Sequence, residues 1–216
     1  MERLRKLSPA TAVGIAIALG WPFLFFWQGS KSMGSASQDI GTIVKEWAFT
    51  LIVLAIVLFW ERRPLSSLGL RMPNWMDWCA MLIAGIGTLV AAGTAAALTE
   101  HGVLQDVQAL FALPFALRLA IALTAGICEE TMIRGFATER LIEIFGKPWV
   151  AFIVVVLAFG LAHIPRYGFN ASLLVPTITG AGLTLLYIWR RNLIVCIVLH
   201  AAIDAMSLLV GPAGHP

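Results

Sequence analysis

The chain has 216 residues, 59% hydrophobic and only 12% charged, which leaves too little polar surface to clothe a water-soluble globule of this size. The net charge is +3, and the basic residues sit in short clusters between apolar segments. That pattern marks membrane topology and excludes nucleic acid as a partner. Cys79, Cys128 and Cys196 lie in or beside apolar stretches without CxxC spacing, which argues against structural disulfides.

Apolar windows run near residues 11–27, 41–60, 78–98, 116–137, 149–164, 171–189 and 193–210. Several approach the ~20 residues that cross a hydrocarbon core, and no alternating barrel pattern appears. The expected fold is therefore all-α, a polytopic transmembrane helical bundle of about seven spans. It forms one membrane-embedded domain over 1–216, with a chemistry-bearing core near 110–210.

The first window follows Met1 to Lys6 and also resembles a signal peptide with cleavage among Gly34 to Ser37. Its length and its Trp21 and Trp27 edge favour a retained span. Gly29-Ser30-Lys31, Glu61-Arg62-Arg63-Pro64, Gly146-Lys147-Pro148 and Arg190-Arg191-Asn192 punctuate the windows. Basic residues alternate between connections: Arg3, Arg5 and Lys6, then Arg62, Arg63 and Arg71, then Arg140 and Lys147, then Arg190 and Arg191. The intervening loops hold only Lys31 and Arg166, so the amino terminus is expected in the cytoplasm and the carboxyl terminus outside. Such a chain belongs in an inner or plasma membrane. Pro165, Gly168 and Pro176 predict irregular backbone or a broken helix beyond the fifth window. Tyr187 and Trp189 read as residues of an interfacial aromatic belt.

Ionisable side chains inside the spans are the informative ones, because each costs at least ~2.5–3.5 kcal/mol at mid-bilayer. They form three clusters on different windows: Cys128-Glu129-Glu130-Thr131-Met132-Ile133-Arg134, Phe159-Gly160-Leu161-Ala162-His163 and His200-Ala201-Ala202-Ile203-Asp204. Glu130 and Arg134 are four apart and can pair on one helix face. Glu129 is rotated about 100° from Glu130, which leaves it the freer carboxylate and the candidate general base. A hairpin turning near Lys147 places Glu130 and His163 at similar depth, so that Glu and His share a water. His200 lies closer to its own turn, so the glutamate helix must protrude past the bilayer for the clusters to coincide. His200 and Asp204 share a face and point together into the same cavity. Taken singly, the Glu130–Arg134 pair reads as structural glue and His163 as a core hydrogen-bonding residue. The conjunction of all three clusters points to a site.

In this order, on successive spans, the clusters resemble the CAAX-protease and bacteriocin-processing family of membrane proteins, known as CPBP or Abi. The family pattern is EExxxR, FxxxH and HxxxN or HxxxD, matched here by Glu129-Glu130 with Arg134, Phe159 with His163, and His200 with Asp204. The stretch Glu61 to Leu70 also looks like the family's upstream segment. The resemblance implies an intramembrane endopeptidase related to type II CAAX prenyl endopeptidases, acting on hydrophobic or lipidated substrates such as prenylated proteins. It implies that Glu129 and His163 activate water while His200 and Asp204 stabilise the oxyanion. Glu130, Arg134 and Phe159 support them. An ionised Asp204 accepts but does not donate, so it is either protonated or serves otherwise.

Family members are often described as metalloproteases, and Glu129, His163, His200 and Asp204 form a reasonable N/O ligand set for Zn²⁺. The missing HExxH helix favours a glutamate-dependent reaction without a metal or other cofactor. The alternatives are a non-catalytic immunity or scaffold protein and an ion- or proton-coupled transporter.

Overall fold

The computed structural model describes residues 7–26, 36–99, 110–164 and 169–209. Among them all regular structure is helical. Helix α1 (Pro9–Phe26) starts after Ser8, whose hydroxyl accepts the Thr11 amide at 3.1 Å, with Pro9 at the first helical position where its missing N–H is harmless. Helix α2 (Ala36–Ala55) runs into a π-helical turn, Ile56–Trp60. A short 3-10 turn, Leu65–Leu68, then leads to α3 (Trp75–Leu98), opened by a reciprocal capping box between Asn74 and Asp77.

The next column is α4 (Phe115–Glu130), a π-helical segment (Thr131–Thr138) and α5 (Glu139–Phe145). It stops at Gly146, whose φ of 66° is left-handed and open to glycine without strain. Pro148 then opens α6 (Pro148–Ala162). A 3-10 turn (Ala171–Leu173) precedes α7 (Leu174–Arg190), and α8 (Leu193–Leu209) follows the turn at Arg191 and Asn192. The seven apolar windows of the sequence thus correspond to seven helical columns among the described residues. Three stretches, Asp39–Trp60, Trp75–Leu98 and Ala171–Arg190, have 22, 24 and 20 residues and are long and apolar enough to cross a membrane.

The outward faces fix the solvent. On α3, Leu82, Ile83, Ile86 and Val90 are each 60–65% exposed on one continuous surface, a patch that water would penalise and lipid tails welcome. The chain is an integral membrane protein. Between helices, small residues allow the close approach that membrane packing relies on. At the α4–α8 crossing a side chain at Gly126 would sit 2.9 Å from the Ala201 backbone nitrogen, and the ring of Phe159 on α6 lies against Gly180 of α7.

One end of the bundle is tied by charged side chains from the basic connections. Arg140 forks onto Glu61 at 2.7 and 2.9 Å, and Arg63 pairs with Glu143 at 2.7 Å. The buried Asp77 carboxylate collects Arg71 and Arg190, each at 2.8 Å, together with Asn192. Three of the four connections expected on one side of the membrane, those carrying Arg63 and Arg71, Arg140, and Arg190 and Arg191, therefore meet at one end, and they are structural as well as topological. Glu139 pairs with Arg191 at 2.9 Å, so the rest of α5 continues beyond the α7–α8 turn, as coincidence of the polar clusters requires.

One expectation needs correction. Tyr187 is not a belt residue: it is fully buried, and the single hydrogen of its hydroxyl is shared between Glu139 at 2.7 Å and the Leu68 carbonyl at 3.0 Å. A phenol at the apolar end of a helix satisfies itself on a neighbouring turn when one packs there; Trp189, by contrast, is exposed. The irregular backbone expected near Pro176 is present just before it, as the 3-10 turn Ala171–Leu173, while Pro176 itself lies in the first turn of α7, where no backbone hydrogen bond is lost. Arg3, Arg5, Lys6, Trp27, Gly29, Ser30, Lys31, Gly34, Pro165, Arg166 and Gly168 lie outside the described residues.

Candidate active site

The acidic pair stands where α4 widens. The eight residues from Thr131 to Thr138 are all buried and take π-helical turns, with the Thr138 hydroxyl donating to the Ile133 carbonyl five residues back at 2.9 Å. Such wide turns recur at functional sites, since they re-aim side chains that a regular helix would spread around its circumference. Here they deliver Arg134 into the bundle. Its Nη1 donates to Glu130 Oε1 at 2.6 Å, and its Nη2 donates to the Gly180 carbonyl at 2.9 Å. Its Nε reaches Thr184 Oγ1 at 3.4 Å. The guanidinium also lies 4.6 Å from the centre of the Phe159 ring, a cation–π arrangement that offsets part of its desolvation. Both members of the Glu130–Arg134 pair have 0% exposure.

His200 joins this pair from α8. Its Nδ1 lies 2.8 Å from the same Glu130 oxygen that accepts Arg134, and the whole residue is buried. Glu130, paired with Arg134, is an acceptor, so Nδ1 carries the hydrogen and Nε2 faces the other way. Asp204, one turn further along α8, places Oδ2 3.7 Å from Nε2. The sequence pattern pairs His200 with Asp204 but gives no sign that Glu130 is its stronger partner.

His163 ends α6, and its Nδ1 lies 2.8 Å from the Phe159 carbonyl. A carbonyl only accepts, so Nδ1–H donates and Nε2 becomes the lone-pair nitrogen of the ring. Phe159 is the hinge between the clusters: its ring centre is 4.8 Å from that of His163 and 6.3 Å from that of His200. Phe159 packing against His163 matches the sequence expectation.

Glu129 is half-buried and forms no hydrogen bond with the described residues. It lies within electrostatic range of His200, Asp204 and Arg134. The structure therefore brings Glu129, Glu130, Arg134, Phe159, His163, His200 and Asp204 to one region of the bundle, with Glu130, Arg134 and His200 in direct contact.

Among the described residues no three His, Cys, Asp or Glu side chains converge closely enough to hold a metal ion. His200 holds Nδ1 on Glu130, which turns Nε2 toward Asp204 at 3.7 Å.

The sequence reading passed over Glu46 on α2. It is 8% exposed, and the charged groups acting on it are Glu129, Asp204 and His200. The available signal was its place inside an apolar window, masked by the neighbouring Lys45, which points outward as an ordinary surface charge would.

Residues 111–206 match the family model described as Type II CAAX prenyl endopeptidase Rce1-like. The matched segment contains all three polar clusters. No curated protein and no solved structure matches the chain.

Proposed function

Residues 111–206 make the chain a member of the CAAX-protease family, and from that premise we propose that it is an intramembrane endopeptidase hydrolysing a hydrophobic or lipidated peptide with a water activated by Glu129 and His163. The observation that carries the reading is the buried contact of His200 with the Glu130–Arg134 pair, against which the Phe159 ring lies, with the His163 ring tilted against Phe159 in turn. It holds one side of the region fixed and leaves Glu129 without a hydrogen-bonded partner among the described residues.

In the proposed reaction Glu129 takes one proton from water as the water oxygen adds to the scissile carbonyl carbon. His163 Nε2, the lone-pair nitrogen, orients the same water. The proton on Glu129 then passes to the departing amide nitrogen as the carbon–nitrogen bond breaks. The charge that develops on the carbonyl oxygen needs a donor, and His200 supplies one through Nε2 when both ring nitrogens are protonated. This gives Asp204 a role consistent with its chemistry: at 3.7 Å from Nε2 it is the counter-charge of His200 rather than an oxyanion donor. Glu130 and Arg134 hold α4, α7 and α8 in register.

The positive-inside rule assigns the end carrying Arg63, Arg71, Arg140, Arg190 and Arg191 to the cytoplasm of an inner or plasma membrane. The amino terminus lies on that side and the carboxyl terminus on the other. The chain acts as one membrane-embedded unit, without nucleic acid.

The test is cleavage of a quenched-fluorescent prenylated peptide library by the protein in detergent, with and without chelator, for wild type and Glu129→Ala, His163→Ala and His200→Ala. Activity lost in all three variants and retained under chelator is expected. Loss on chelation with recovery on zinc would replace the glutamate mechanism by a metal one. No cleavage by wild type would remove the proteolytic reading.

A further inference from the structure

Thr184 stands on α7, in none of the three polar clusters, and it has 0% exposure. A threonine inside a helix can turn its hydroxyl back to the carbonyl four residues earlier, and Thr184 does so, donating to the Gly180 carbonyl at 2.7 Å. Alone, that bond would be structural. With its hydrogen committed to Gly180, however, the hydroxyl oxygen is left as an acceptor, and Arg134 Nε donates to it at 3.4 Å. Arg134 Nη2 donates to the same Gly180 carbonyl at 2.9 Å. One turn of α7 thus holds the guanidinium by Nε and Nη2, and the remaining nitrogen, Nη1, is the one that meets Glu130 at 2.6 Å.

The absence of a side chain at Gly180 keeps this seat in shape. A Cβ there would lie 2.6 Å from the Phe159 ring and displace it from its places beside Arg134 at 4.6 Å and His163 at 4.8 Å. A guanidinium is planar and rigid, so holding Nε and Nη2 on α7 fixes where Nη1 stands, and with it the Glu130 oxygen. That oxygen also meets Nδ1 of His200 at 2.8 Å. The direction of His200 Nε2, on the far side of the ring, therefore follows from the seat on α7. We infer that Thr184 is a positioning residue that aims His200 Nε2 at the developing oxyanion through Arg134 and Glu130; the inference rests on the proteolytic reading above. Without the hydroxyl the guanidinium keeps only the Gly180 carbonyl on α7 and can pivot about it, carrying Glu130 and His200 along. A donor that must be re-aimed during the reaction loses the advantage of being placed beforehand.

The experiment compares Thr184→Val and Thr184→Ser with wild type for kcat, KM and thermal unfolding midpoint in one detergent. It also follows, by nuclear magnetic resonance of protein carrying isotopically labelled histidine, the ring N–H signal of His200, identified by its loss in His200→Gln. Valine keeps the shape of threonine without the hydroxyl, whereas serine keeps the hydroxyl. The expected result is a kcat about 10-fold lower in Thr184→Val, on the scale of one hydrogen bond to a charged group, with KM little changed and the His200 signal displaced. Thr184→Ser should restore both kcat and the position of the signal. A Thr184→Val protein whose midpoint falls while kcat and the His200 signal keep their wild-type values would overturn the inference, leaving the hydroxyl a structural role. So would a Thr184→Ser protein as slow as Thr184→Val, or a slowed Thr184→Val in which the signal does not move. Each of these outcomes would leave the proteolytic reading intact. A wild type that cleaves none of the peptides would overturn the proteolytic reading and this inference with it.

Discussion

Arg134→Met isolates the energetic centre of the bundle. The substitution keeps an apolar stem but removes the guanidinium from a position with 0% exposure. Glu130, equally buried, then loses its 2.6 Å partner and retains His200 alone. Breaking a buried pair from one side costs about 3–5 kcal/mol, because the surviving charge remains desolvated. The Phe159 ring also loses a cation 4.6 Å from its centre, worth about 0.5–2 kcal/mol. The Gly180 carbonyl adds little, since the Thr184 hydroxyl still donates to it at 2.7 Å. Allowing for what His200 retains, the expected loss is about 4 kcal/mol. It is read by tryptophan fluorescence during reversible unfolding in mixed detergent and dodecyl sulfate micelles. The double variant Glu130→Gln, Arg134→Met removes the stranded charge as well, and should be more stable than Arg134→Met alone by about 1–2 kcal/mol. An Arg134→Met protein within about 1 kcal/mol of wild type, the scale of an exposed ion pair, would refute the reasoning. So would a double variant less stable than the single one.

Glu129→Gln should lower kcat by about 100- to 10,000-fold, the range for a lost general base, and leave the unfolding midpoint unchanged, because no hydrogen bond in the described structure ends on Glu129; peptide cleavage and thermal unfolding read the two effects separately. Gly126→Ala would force a methyl group within 2.9 Å of the Ala201 backbone, so unfolding measurements should show a loss of about 1–3 kcal/mol, as overpacking does. Tyr187→Phe removes hydrogen bonds to Leu68 and Glu139 at 3.0 and 2.7 Å and should cost about 1–3 kcal/mol of stability. Its kcat should match wild type, since the hydroxyl acts at the tied end of the bundle.

The helical columns were legible because the bilayer imposes a length on every apolar run, and the turns between them carry glycine, proline and basic residues. The Glu130–Arg134 pair was legible for a local reason, as residues four apart on a helix meet whatever the tertiary structure does. His200 on Glu130 was not, because 70 positions separate them and no periodicity on α8 indicates which neighbour its face will meet. The π-helical turns at Thr131–Thr138 were hidden as well. Their residues have no distinctive composition, and the wider turn is selected by packing against α1 and by the interior partners of Arg134. Tyr187 misled because burial of an aromatic at a helix end depends on whether another turn, here Leu65–Leu68, folds over it.

Glu46 shows where a motif-centred reading of a membrane chain loses information. A cluster such as Glu129-Glu130 with Arg134 attracts notice because several polar residues share one apolar segment, yet the lipid penalty on an ionisable group acts on each residue singly. A lone glutamate in α2 therefore carries as much reason for explanation as any member of a cluster. Clustered charges can neutralise one another locally, as Glu130 and Arg134 do, and so can be retained for structure alone. An isolated buried carboxylate has no such local compensation. Its partner must come from another helix or from the molecule that the site receives. Within the described structure the buried Oε2 atoms of Glu46 and of Glu130 both lack a hydrogen-bond donor, so a missing partner alone does not separate the solitary residue from the paired one.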